Sequence, residues 1–118
     1  MYNILVIDDE KSISEILCHA LIRFGFRVDT ASNGKEGIAK FDKDPFDLVI
    51  TDICMSGLDG IGVVQHIRNS LRGSTPVIGI SGTPRLLQNG DFDAILPKPF
   101  SIMKLADTVK DLTGSFLN

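Results

Sequence analysis

Ile4-Leu5-Val6-Ile7-Asp8-Asp9 decides the fold. Four consecutive apolar residues, with no polar residue alternating among them, read as a strand buried on both faces. Such strands belong to parallel sheets covered by helices on each side. Three later runs have the same form. Leu48-Val49-Ile50-Thr51 stops at Asp52, Val77-Ile78-Gly79-Ile80 at Ser81, and Ala94-Ile95-Leu96-Pro97 at Lys98. If the strands are parallel, all four polar endings lie on the carboxyl edge of the sheet, where open α/β sheets bind ligands. Three carboxylates, a hydroxyl and an ammonium then share one pocket. That set suits a hard divalent cation and a phosphoryl group.

Helical periodicity fills the gaps between the runs. Ser12-Ile13-Ser14-Glu15 has the form of a capping box, and Ile13, Ile16, Leu17, Ala20, Leu21 and Phe24 make one apolar stripe before Gly25. Residues 27–31 alternate polar and apolar, as an edge strand does. Asn33-Gly34 is a turn signal, and a short helix with Ile38 and Phe41 inward ends before Pro45. A third strand covers residues 47–51. After a loop marked by Gly57 and Gly60, a helix over residues 61–71 turns Val64, Ile67 and Leu71 inward. Residues 77–80 and 94–96 are the last strands, and Pro97 places the fifth at an edge because it cannot donate to a ladder. The final helix starts near Ser101 with Ile102, Leu105, Ala106, Val109 and Leu112 on its inner face.

An apolar first strand must be internal and an alternating second strand an edge. A flavodoxin-like, doubly wound five-stranded parallel sheet of order 2-1-3-4-5 satisfies both demands. Between Ser81 and Lys98 there is room for about two helical turns, opened by Thr83-Pro84 and closed by Gly90. The fourth helix is therefore expected to be short or irregular.

The chain of 118 residues reads as one domain, residues 1–118, with no output domain. Its formal charge of −3 gives no basic field, which argues against direct nucleic-acid binding. Cys18 and Cys54 are too few for a disulfide scaffold and read as reduced thiols of a cytoplasmic protein. No run approaches membrane-spanning length, and the N-terminus does not have the form of a signal peptide.

Asp9 and Asp52 would repel each other unless a cation or a proton joined them. Mg2+ takes oxygen ligands and keeps several waters, so one or two carboxylates and a backbone carbonyl suffice. A carboxylate beside Mg2+ can also act as a nucleophile and form an aspartyl phosphate. Lys98 would add charge at the phosphoryl oxygens and Ser81 a hydrogen bond.

Asp8-Asp9, Asp52, Ser81 and Lys98-Pro99, each after its own strand, together with residues 53–60, resemble the receiver domain of two-component response regulators. The resemblance implies that Asp52 accepts the phosphoryl group. It implies that Asp8, Asp9, Asp52 and the backbone carbonyl of Cys54 hold Mg2+, with Asp9 the more direct ligand of the first two. Ser81 becomes the switch hydroxyl, Lys98 the partner of the phosphoryl group, and Lys98-Pro99 a cis bond. The donor would be a phosphohistidine on a sensor histidine kinase or a phosphotransfer protein. The receiver would catalyse only its own phosphorylation and dephosphorylation and pass the signal to a downstream protein target; a homodimer stays open.

The chain departs from the family pattern in places. Ile95 stands where a switch aromatic is usual, Ser56 where Pro is common, and Gly82 carries no side chain to cover the phosphoryl group. A degenerate receiver that signals without phosphate is one alternative. An Asp-nucleophile phosphohydrolase is another, weakened because Cys54 stands where such enzymes place a second Asp. A flavin binder is weaker still, since Asp8-Asp9-Glu10 would repel a cofactor phosphate. His19 and His66 read as solvated helix residues, and Cys54 as a packed or half-covered thiol.

Overall fold

The computed structural model describes residues 2–82 and 91–114. The elements in chain order are β1 (Asn3–Ile7), α1 (Lys11–Arg23), β2 (Arg27–Ala31), α2 (Gly34–Lys43), β3 (Leu48–Asp52), α3 (Gly60–Arg68), β4 (Val77–Ser81), β5 (Ala94–Pro97) and α4 (Ile102–Thr113). The strands form one sheet of order β2-β1-β3-β4-β5, every neighbouring pair parallel. The expected α/β class and strand order are borne out. The short or irregular helix expected between Ser81 and Lys98 falls mostly on residues 83–90, outside the described residues.

Successive side chains of a strand point to opposite faces, so each apolar run supplies two cores. On one face Ile4, Val6, Ile50, Ile78, Ile80 and Leu96 pack against Leu17 and Leu21 of α1 and Leu105 and Val109 of α4. On the other, Leu5, Ile7, Val49 and Val77 pack against Phe41 of α2 and Val63, Val64 and Ile67 of α3. Each such aliphatic side chain contributes about 1.5–3 kcal/mol when fully buried. These two cores hold the strand ends in register. Ile7 lies opposite Thr51, Asp52 opposite Ile80, and Ser81 opposite Pro97.

Several local readings are corrected. Helix α1 starts at Lys11, one residue before the Ser12 box, with Glu10 at its N-cap and no side-chain cap bond. Asp8 organises this turn instead, its Oδ1 accepting the Glu10 N–H at 2.9 Å. Ile16, assigned to the buried stripe, is 50% exposed, because the contact face centres on Leu17 and Leu21, with Ile13 and Phe24 partly buried against the same core. At the Asn33-Gly34 turn signal, Asn33 is the N-cap of α2, its Oδ1 accepting the Glu36 N–H at 2.8 Å.

Helix α3 stops at Arg68, and Leu71, expected inward, is fully exposed. Ser70 breaks the pattern, donating its hydroxyl to Ile67 O at 2.6 Å while accepting the Arg72 N–H at 3.1 Å. The Arg68 guanidinium then fastens the following loop through Gly73 O and Thr75 O and reaches Asp91 O and the Asp93 carboxylate. Ile102, at the start of α4, is also more exposed than its place in the stripe suggests. No described helix is long and apolar enough to cross a membrane.

Candidate functional site

Three strand ends and one turn build the site. Asp52 closes β3 and is only 2% exposed. Its Oδ2 accepts from Lys98 Nζ at 3.1 Å, and its Oδ1 accepts the Cys54 N–H at 3.3 Å. Lys98 follows β5, where its own N–H donates to Ser81 O at 2.8 Å and ties that strand end to β4. The Lys98-Pro99 bond is cis. Ser81 is buried at the end of β4. The loop after Asp52 folds back closely, since a Cβ at Gly60 would lie 2.6 Å from Asp52 O and 2.7 Å from Ile53 Cα. Only glycine fits there without displacing the backbone of Asp52 and Ile53.

Asp8, also 2% exposed, is the second buried carboxylate. Its Oδ1 is held by the Glu10 N–H, while its Oδ2 has no hydrogen-bond partner among the described residues. Burial is the main reason its pKa is raised, to about 6; the charges of Asp52 and Glu10 add to the rise, and the Glu10 N–H and Lys98 oppose it. For Lys98, burial alone would lower the pKa. The hydrogen bond to Asp52 and the charges of Asp52, Asp8 and Glu10 outweigh burial, and the ammonium's pKa is raised. Buried like charges without a full complement of partners are costly. An oxygen-seeking cation would satisfy the orphaned Asp8 oxygen, so the donor set fits Mg2+.

The sequence places Asp8, Asp52, Ser81 and Lys98 at the carboxyl edge, and there the structure has them. Asp9, read as the more direct metal ligand, is exposed. The carboxylates that converge are Asp8, Glu10 and Asp52, with oxygens within 4.8 Å of one another. Glu10 is not legible as a site residue in the sequence, because it is the third residue past the end of β1 and the strand-end rule points to the acids before it. Its place at the N-cap of α1, a position that prefers Ser, Thr, Asp or Asn, emerges only with the structure.

Cys54 is exposed rather than packed or half-covered. His66 is not simply solvated, since its Nε2 lies 2.8 and 3.0 Å from the two carboxylate oxygens of Asp42, bridging α3 to α2. Ile95 packs, partly buried, against the core shared with α2 and α3.

Comparison with known proteins bears on this geometry. The family model described as the response regulator receiver domain matches residues 4–110. The chain belongs to the response regulator receiver domain family. As a receiver of two-component systems, it is similar to regulators from distant sources. It is 33% identical over 117 residues to the probable transcriptional regulator ycf27 of Cyanidium caldarium, covering 94% of this chain and 46% of that protein. It is 37% identical over 107 residues to the uncharacterized transcriptional regulatory protein YrkP of Bacillus subtilis, covering 85% of this chain and 44% of the other. The receiver thus spans less than half the length of these relatives.

Among solved structures, the response regulator TrrA of Thermotoga maritima, in complex with Mg2+-BeF, superposes with a TM-score of 0.88. It is 35% identical, over 95% of this chain and 99% of that one. The chemotaxis response regulator CheY4 of Vibrio cholerae gives 0.89 at 30% identity, over 95% and 98% of the two chains.

Proposed function

We propose that this receiver accepts a phosphoryl group on the Asp52 carboxylate. The observation that carries the reading is a carboxylate 2% exposed at a strand end, with a lysine ammonium 3.1 Å away and a second buried acid, Asp8, beside it. The donor is a phosphohistidine on a sensor histidine kinase or a phosphotransfer protein. A carboxylate oxygen of Asp52 attacks phosphorus; the P–O bond forms as the P–N bond breaks, and the leaving imidazole keeps the electron pair and takes a proton from solvent. Lys98 fixes the carboxylate and places positive charge where the phosphoryl oxygens gather theirs. Ser81 supplies a hydroxyl at the same edge.

Asp8 and Asp52, with Asp9 and the Cys54 backbone carbonyl, are the residues that would hold Mg2+, which when bound neutralises charge on the phosphoryl oxygens. The Mg2+-BeF complex of the Thermotoga relative supports that ligand class. Hydrolysis of the acyl phosphate by water returns the carboxylate. Between the two events, Ser81 and Lys98 are drawn to the phosphoryl group and bias the surface that meets a downstream protein in the cytoplasm. Ile95 has no ring to turn or hydroxyl to bond, so this output starts from Ser81 and Lys98 and not from a side chain at position 95.

Incubation with a small phosphoramidate donor and Mg2+ tests the reading. Intact mass should rise by one phosphoryl group and the rise should vanish in Asp52→Asn. An undiminished gain in that variant overturns it. No gain from phosphoramidate, acetyl phosphate or a phosphorylated kinase domain favours a receiver that signals without phosphate.

A further inference from the structure

Glu10 has a place in the site that its position on the helix does not explain. It stands at the N-cap of α1, where a short polar side chain would accept a backbone N–H, and its side chain caps nothing. Its Oε1 lies instead 3.6 Å from Lys98 Nζ, the same ammonium that Asp52 holds at 3.1 Å. One lysine thus neutralises carboxylates from two different strand ends. Glu10 also completes the group of three acids whose oxygens lie within 4.8 Å of one another. The second acid of that group, Asp8, is buried and carries an Oδ2 with no partner among the described residues.

We propose that Glu10 is a further carboxylate of the divalent-cation site, raising the affinity of this receiver for Mg2+ beyond what Asp8, Asp9 and Asp52 provide. The inference rests on the reading of this pocket as a cation site. The Glu10 side chain is 59% exposed, so its contribution is electrostatic and partly screened by solvent. It attracts the ion and draws Lys98 toward the outer rim of the pocket, sharing an ammonium that would otherwise oppose the ion at Asp52. A charge acting at this distance through partly solvated space weakens as salt rises, because the screening length falls to about 3 Å at 1 M ionic strength.

Calorimetric titration of MgCl2 into the unphosphorylated protein tests this without any transfer reaction. The variants are Glu10→Gln and, as a control, Glu15→Gln. Glu15 is exposed on the same helix, about 7.5 Å further along its axis. Glutamine keeps the shape at position 10, and no cap bond is lost. In low salt the dissociation constant should rise about five- to tenfold in Glu10→Gln, with the difference shrinking to about twofold in 1 M NaCl. Glu15→Gln should bind as the unmodified protein does. An unmodified protein that binds Mg2+ while Glu10→Gln binds it equally well overturns the role of Glu10 and leaves the pocket's function standing. Equal weakening in both variants also overturns it, since the effect would then come from net charge alone. Failure of the unmodified protein to bind Mg2+ overturns both.

Discussion

Asp8 shows what a single residue gives up to build this site. Its carboxylate is buried, has one unpartnered oxygen, and has its pKa raised to about 6 from 3.8. An acid with a higher pKa in the folded state binds more protons there than in the unfolded chain. Its favourable share of stability is therefore complete below pH 4 and declines as pH rises toward 6; above that the full cost of burying the charge is present. Asp8→Asn should stabilise the metal-free protein at pH 7.5 by roughly 1–2 kcal/mol and leave it unchanged near pH 3.5. Urea denaturation at the two pH values measures this, and equal stabilisation at both would show that the charge is not the cause. Gly82 offers a second test. Among the described residues a Cβ there would meet nothing within 4 Å, and the residue is exposed beside Ser81. Gly82→Val should shield the acyl phosphate from water and lengthen its lifetime several-fold, as followed by intact mass over time. An unchanged decay rate would mean that water reaches phosphorus by another path.

At the scale of elements, the strands were readable and the helix ends were not. A buried parallel strand writes itself as an unbroken apolar run, so β1, β3 and β4 and the residues that follow them could be found one by one. Helix ends depend on which side chain wins a backbone group, and the apolar pattern does not record that contest. Ser70 and Arg68 end α3 before Leu71, and Asp8 starts α1 before Ser12. The same limit hid Glu10, whose importance comes from where the turn after β1 aims it. Leu71→Ser is therefore expected to change stability by less than about 0.5 kcal/mol, whereas a stripe residue of α3 would cost several. Thermal denaturation distinguishes the two. Gly60→Ala is the opposite case, with its Cβ driven into the Asp52 carbonyl. A loss of about 1–3 kcal/mol together with impaired phosphoryl uptake is expected.

The whole molecule couples the pocket to the fold, because the acids come from separate strands that only the folded sheet brings together. Ligands that bind the folded state alone raise its stability with their concentration, by about 2.7 kcal/mol at a hundred times the dissociation constant. The melting temperature should accordingly climb with added MgCl2, and the climb should be largely lost in Asp52→Asn; an equal rise in both would place the ion elsewhere. The central claim is the covalent one, that Asp52 carries the phosphoryl group. Borohydride reduction of the phosphorylated protein, followed by peptide mass mapping, tests it most directly, because reduction of an aspartyl phosphate leaves homoserine at the modified position. Homoserine at position 52 and nowhere else is the expected result. Homoserine at another aspartate, with Asp52 intact, would contradict the account.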